Sequence, residues 1–270
     1  MRRRLVAVTA LMCLLAAGAA YGAVAPVPDN GNINTYMGVY KVSHGAGTAN
    51  KPVAVSMVEN LGMGSVTAGN VGAPLTDIKS TIYGLKSNGQ YFPKCTTKMI
   101  DSNTTRWNGV CPKNSLVASG TVNSVLVPAT LAQANATPCN LKLSVYNAGP
   151  GQLAYFFTVP SPRSCAGLST GAAAAYTGTV KQAGKNLIND VPEPADISTS
   201  AGNINGTFGS LVSETLNWKK LTVKKAGKVY PYLESVGCKS KRPFAIKYTA
   251  TTSSSLQPQY SATVTGTSGC

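Results

Sequence analysis

The 270-residue chain has one histidine, nine acidic residues and only 12% charged residues, and these shortages exclude much chemistry. A Ser-His-Asp triad would have to use His44, which lies in the glycine-rich stretch Ser43-His44-Gly45-Ala46-Gly47-Thr48, and no G-x-S-x-G elbow accompanies it. The same stretch lacks the G-x-x-x-x-G-K-[ST] spacing of a phosphate-binding loop. No Cys-x-x-Cys spacing occurs, so the familiar zinc sites are unsupported. No Ser-x-x-Lys motif follows the N-terminal segment, which removes the penicillin-binding class. No catalytic residue, metal ligand or cofactor-binding motif is assigned, and the expectation is a protein without enzymatic activity.

Long apolar runs are absent too, except at the start. Met1-Arg2-Arg3-Arg4 precedes the uncharged stretch from Leu5 to Ala20, and small residues follow. That is the layout of a secretory signal peptide, expected to span residues 1–22 with cleavage before Ala23. The apolar core is shorter than the roughly 20 residues a membrane anchor needs. The mature chain, 23–270, is therefore expected to be secreted and associated with the cell wall, with no membrane span. Arg2-Arg3-Arg4-Leu5-Val6 leaves open whether export follows the general or the twin-arginine route.

Of seven cysteines, Cys13 lies in the leader and Cys95, Cys111, Cys139, Cys165, Cys238 and Cys270 lie beyond it. Cleavage leaves an even set in a compartment where disulfides persist. Six cysteines allow fifteen pairings. The sequential one, Cys95–Cys111, Cys139–Cys165 and Cys238–Cys270, is favoured, because the last bond would pin the terminal strand and enclose the final hairpin.

Helical periodicity is scarce in the mature chain. Short β-branched and aromatic runs recur between Gly, Asn and Pro clusters, which predicts an all-β, antiparallel, disulfide-stapled β-sandwich of jelly-roll or immunoglobulin-like type. It reads as one unit, with a subdivision considered near 115–140. Ala154-Tyr155-Phe156-Phe157-Thr158-Val159 is apolar on both faces and should be a central strand. Phe244, Ile246 and Tyr248 alternate with Ala245, Lys247 and Thr249, as expected of a half-buried strand. Ala226-Gly227 reads as a hairpin turn. Asn189 to Asp196, with Pro192 and Pro194, reads as a solvated acidic loop.

Charge is one-sided. Without the three leader arginines, 21 basic residues face 9 acidic ones, a net charge of +12. Such a balance favours acidic surfaces. The basic residues gather late, at Lys219, Lys220, Lys224, Lys225, Lys228, Lys239, Lys241, Arg242 and Lys247, near Trp218, Tyr230 and Tyr232. These nine are the candidate binding residues, with an anionic wall polymer or polysaccharide as partner. Nucleic acid is not expected for an exported protein. The competing explanation is that the lysines guard a hairpin edge while the aromatics fill the core.

Phe92-Pro93-Lys94-Cys95 and Cys111-Pro112-Lys113-Asn114-Ser115-Leu116-Val117-Ala118-Ser119-Gly120, with Tyr232-Leu233-Glu234-Ser235-Val236-Gly237-Cys238 and a closing Cys270, are a set of Cys, Pro and Gly positions. In these the chain resembles a group of exported actinobacterial proteins of unassigned function, over residues 75–270. The resemblance implies export and an all-β fold and transfers no activity; Cys139 and Cys165 depart from its pattern. The expected function is binding or structural support at the cell surface. The alternatives are an extracellular hydrolase acting on polysaccharide, built from distant acids such as Glu59 and Glu214, and a subunit of an extracellular fibre.

Overall fold

Alternating inward apolar and outward polar residues organise the whole molecule. The computed structural model describes residues 25–270 except 44, 103–106, 129, 162, 166–173, 194–206, 239 and 253–256. His44, Lys239 and Asp196 thus fall outside the described residues.

The main sheet has twelve strands: β1 (Val27–Pro28), β2 (Asn34–Val42), β4 (Met57–Ser65), β5 (Leu75–Tyr83), β7 (Leu116–Pro128), β8 (Thr137–Gly149), β9 (Gln152–Thr158), β10 (Tyr176–Ala183), β11 (Asn186–Pro192), β12 (Thr207–Trp218), β16 (Lys241–Thr251) and β17 (Gln259–Gly269). Their order is β1-β2-β4-β12-β7-β8-β9-β10-β11-β5-β16-β17. A second sheet joins β3 (Thr48–Ala54), β15 (Leu233–Gly237) and β6 (Leu85–Ser87) in the order β3-β15-β6. β13 (Thr222–Lys225) and β14 (Lys228–Pro231) form a separate hairpin.

The fold is all-β and antiparallel, with three disulfides at Cys95–Cys111, Cys139–Cys165 and Cys238–Cys270. The main sheet curls until β17 lies beside β2, giving a nearly closed barrel rather than a clear two-sheet jelly roll. The closing seam has no ladder. Single bonds cross it instead: Asn30 N–H donates to the Ser261 carbonyl (3.2 Å), Val42 N–H to Ser268 Oγ (3.0 Å) and Tyr248 Oη to the Met37 carbonyl (2.8 Å). Inside the barrel, Tyr36 of β2 stacks on Tyr248 of β16 at 4.7 Å, and Tyr40 meets Phe244 edge-on at 5.3 Å. These rings fill the barrel behind the seam, and the interior is a packed core.

β9 is central, as its apolar run requires. Leu153, Tyr155 and Phe157 face the barrel core. Ala154 and Phe156 face outward but are covered by Cys95 and Ile100, from the segment that carries α1 (Thr97–Asp101). That segment is held by Cys95–Cys111 and by Asn147 Nδ2, which donates to the carbonyls of Gly89 (3.0 Å) and Pro93 (2.9 Å). Among the described residues no helix is long and apolar enough to cross a membrane.

The two ends of the barrel differ. At the end where β2, β5, β12 and β17 finish, the β3-β15-β6 sheet forms a lid. Val55 N–H donates to the Leu233 carbonyl (3.1 Å) and Val236 N–H to the Gly84 carbonyl (2.9 Å), while Cys238–Cys270 ties the lid's exit to the last strand. The opposite end is closed by loops, with Cys139–Cys165 beside Val159 and Leu126.

Candidate functional site

Two features stand out, one at the lidded end and one inside the barrel. The first is the β13–β14 hairpin. Its turn, Ala226 (φ 47°) and Gly227 (φ 77°), has the doubly left-handed geometry of a tight two-residue hairpin. Val223 and Leu221 pack against the main core at the base. Tyr230 stacks on Tyr91 with centroids 3.8 Å apart, and Lys228 Nζ lies 5.1 Å from the Tyr230 ring centre. Asn88 anchors the returning strand, donating from Nδ2 to the Pro231 carbonyl (2.9 Å) and from N–H to the Tyr232 carbonyl (2.9 Å). The tip is thus firmly held yet projects from the lid.

Lys220, Lys224, Lys225 and Lys228 are exposed and Lys219 is half-buried. Between Glu214 and Glu234 the sequence has no acidic residue. The ion pairs among the described residues, Lys79–Asp190 (2.8 Å) and Lys86–Glu234 (3.3 Å), involve none of these five lysines. Val229, 58% exposed, adds an apolar patch beside Lys224, its cross-strand partner.

The other candidate residues scatter. Lys241 is exposed at the start of β16. Lys247 lies on the outer barrel wall opposite Lys79, away from the hairpin. Arg242 corrects the sequence reading, because it is fully buried and takes no part in a surface. Its Nη1 donates to the Tyr83 carbonyl (2.7 Å) and its Nη2 to Ser235 Oγ (2.9 Å), fastening the lid to the barrel. Burial holds the Arg242 guanidinium below its ordinary pKa. The alternation of Phe244, Ile246 and Tyr248, extended two residues back, carried the signal: Arg242 has their inward parity.

The second feature is a set of acids inside the barrel. Register places Glu59 of β4 between Tyr40 of β2 and Leu216 of β12, and places Glu214 opposite Leu61. Glu59 is 4% exposed; Tyr40 Oη donates to its Oε1 (2.7 Å) and Trp218 Nε1 to its Oε2 (3.2 Å). Tyr40 also shares a hydrogen bond with Ser80 Oγ on β5. Asn189 and Glu193, read from sequence as parts of a solvated loop, instead face the interior. Asn189 sits within β11 and donates to Tyr155 Oη (3.0 Å), and Glu193, just past the strand, accepts from Tyr176 Oη (3.4 Å). Burial drives the carboxyls of Glu59 and Glu214 upward, the latter further raised by Glu59 and Glu193, and it pushes Glu193 up to about 7. The interior spaces these residues line are water-sized, about 10 and 20 Å³. Among the described residues no cluster of His, Cys, Asp or Glu is arranged to hold a metal ion.

No family model matches the chain, and neither a curated protein nor a solved structure is similar to it.

Proposed function

We propose that the protein works outside the cell as a non-catalytic binding or structural module, with the lysine hairpin engaging anionic wall polymers. One observation carries this reading: Lys224, Lys225 and Lys228 lie on an anchored hairpin that forms no part of the barrel, Lys219 and Lys220 lie in the segment leading into it, and no carboxylate among the described residues pairs with any of the five. A fixed cluster of positive charge attracts polyanions in a salt-dependent way. The Tyr91–Tyr230 stack gives the hairpin a rigid base, which limits the entropy lost on binding.

Disulfides fit an oxidising location and the resemblance to exported proteins points the same way. The hydrolase alternative has the weaker geometric support. Glu59 and Glu214 do meet, but around space for a water molecule and not for a sugar ring between two carboxyls.

The test is retention of the purified protein on a polyphosphate matrix and on a sulfated-polysaccharide matrix across a salt series. Wild type should be held at low salt and released as salt rises. Lys224→Ala/Lys225→Ala/Lys228→Ala should pass unretained at about 0.1 M salt, where the screening length is about 10 Å. Equal retention of wild type and variant would remove the hairpin from the account.

A further inference from the structure

Three glutamates that line the interior of a packed barrel, Glu59 buried and Glu193 and Glu214 half-buried, call for a physical reason, and the polymer-binding role does not use them. Glu59, Glu193 and Glu214 come from β4, the end of β11 and β12, so they reach the interior from opposite walls. Neither ion pair among the described residues includes them. The titratable groups that face them are Tyr40 from β2, Tyr155 from β9, Tyr176 from β10, Tyr248 from β16, Tyr232 from the segment before β15, and Asp77 from β5. All are phenols or acids, and the buried guanidinium of Arg242 on β16 is turned to Tyr83 and Ser235 at the lid and lines neither interior space.

Hydrogen bonding is uneven. Glu59 accepts two bonds and Glu193 one, whereas Glu214 receives none from a described side chain. A second chamber adjoins Glu59 and is lined by two buried hydroxyls that interact with each other, Ser87 Oγ and Tyr232 Oη. This interior has room for a bridging water beside Glu59. A buried carboxylate without a counter-charge is costly, and two neighbouring ones are costlier. Desolvation outweighs the hydrogen bonds that Glu59 and Glu193 accept, so the carboxyls favour the protonated form.

The weakest part of the wall is the β2–β17 seam, which individual bonds close instead of a ladder. Tyr40, on the seam strand, is also the partner of Glu59. Charge arising at Glu59 thus acts directly on a strand whose seam-side edge has only the two-residue β1 ladder.

We propose that Glu59, Glu193 and Glu214 make the barrel a proton-dependent closure: with protons on these carboxyls the walls meet and the β2–β17 seam stays shut, and their ionisation loosens it. The sign follows from linkage. In the unfolded chain these groups ionise near 4.3; in the fold they hold their protons to higher pH, Glu193 to about 7. The stability they confer is complete below about pH 4 and is lost as pH rises through the neutral range. Asp77, raised by burial and by Asp190 to about 6, acts in the same direction. Asp190, resisted by burial but held low by hydrogen bonds from Lys79 and Asp77, acts oppositely and only in strong acid.

Trp218 donates to Glu59 and reports on this interior; Trp107→Phe isolates its fluorescence from that of the only other tryptophan. The experiment follows thermal unfolding by this signal between pH 4.5 and 8.5 in that background, with and without Glu214→Gln and Glu193→Gln. The expected result is a fall in Tm of about 5 °C or more with rising pH, roughly halved by Glu214→Gln, with Glu193→Gln acting in the same direction. Hydrogen exchange, corrected for its intrinsic pH dependence, should show residues 37–42 losing protection at pH 8 before residues 141–146. A wild-type Tm that is flat or rises over this interval overturns the proposal. So does an unchanged pH profile in both variants, or in Glu193→Gln alone should Glu214→Gln fail to fold. Equal loss of protection in the two segments would remove the seam from it.

Discussion

The lidded end and the looped end of the barrel solve the same problem differently. Both must cover the rim of a curled sheet whose backbone groups need partners. At the lidded end the cover is itself a sheet, so the ladder supplies those partners, and buried Arg242 adds side-chain bonds to Tyr83 and Ser235. At the looped end single contacts serve: Asn34 Oδ1 accepts from Ala73 N–H (2.7 Å), Asp29 Oδ1 from Ile33 N–H (2.9 Å), and Ser210 Oγ donates to the Gly72 carbonyl (2.6 Å). A lid made of regular structure is a firmer platform, and the lysine hairpin is built on that one. The comparison teaches that the molecule places its charged projection where its backbone is best tied down.

The largest expected effect comes from the bond that ties the lid to the last strand. Cys238→Ser/Cys270→Ser should lower unfolding free energy by about 4 kcal/mol, from chain entropy over a 32-residue separation. Cys139→Ser/Cys165→Ser should lose about 3.5 kcal/mol on the same argument. Denaturant titration of both sharpens the comparison, because the lid bond should also expose β3 and β15 to hydrogen exchange. A larger loss at the looped end would break it.

A smaller effect is expected at two glycines. Gly84 (φ 67°) joins β5 to the lid, and a Cβ there would lie 1.7 Å from the Gly237 carbonyl oxygen and 2.9 Å from Arg242 Nη1. Gly84→Ala should cost about 3 kcal/mol, combining backbone strain with forced movement of the lid. Gly69 (φ 80°), at the looped end, has nothing within 4 Å of such a Cβ, and Gly69→Ala should cost about 1 kcal/mol. Thermal melts of the two variants measure the difference; equal losses would mean that the lid is no more tightly packed than the loops.

The smallest effect on stability should come from the hairpin lysines themselves. Lys224→Ala/Lys225→Ala/Lys228→Ala removes exposed, unpaired charges and should change stability by no more than about 0.5 kcal/mol. Denaturation of the triple variant checks this, and a loss of several kcal/mol would show that the lysines serve the fold.

Much of this architecture was readable from residues. Period-2 alternation located β16, and the two-sided apolar run located β9 at mid-sheet with both faces covered. Closure into a barrel was not readable, because the inward and outward pattern of a strand is the same in a sandwich and in a curled sheet. The interior acids were also hidden. Glu214 shares the inward parity of Leu216 and Trp218 on β12, but a lone charged residue in an alternating strand reads as solvent-facing. Glu193 follows a strand whose acid and proline, Asp190 and Pro192, resemble a loop. Only register shows that Glu59 and Glu214 share a wall, since 155 residues separate them in sequence. The hairpin was legible as a turn with lysines, but its independence from the barrel was not, because pairing partners are a tertiary fact.

The most direct test of the central claim matches charge for charge. Lys224→Ala/Lys225→Ala/Lys228→Ala is compared with Lys142→Ala/Lys181→Ala/Lys185→Ala, three exposed lysines of the barrel body, by retention on one polyphosphate matrix over one salt series. Both variants lose three positive charges, so net charge alone predicts equal weakening. The account predicts that the hairpin variant elutes at markedly lower salt than wild type while the barrel variant elutes close to it. Coincident elution of the two variants would contradict it.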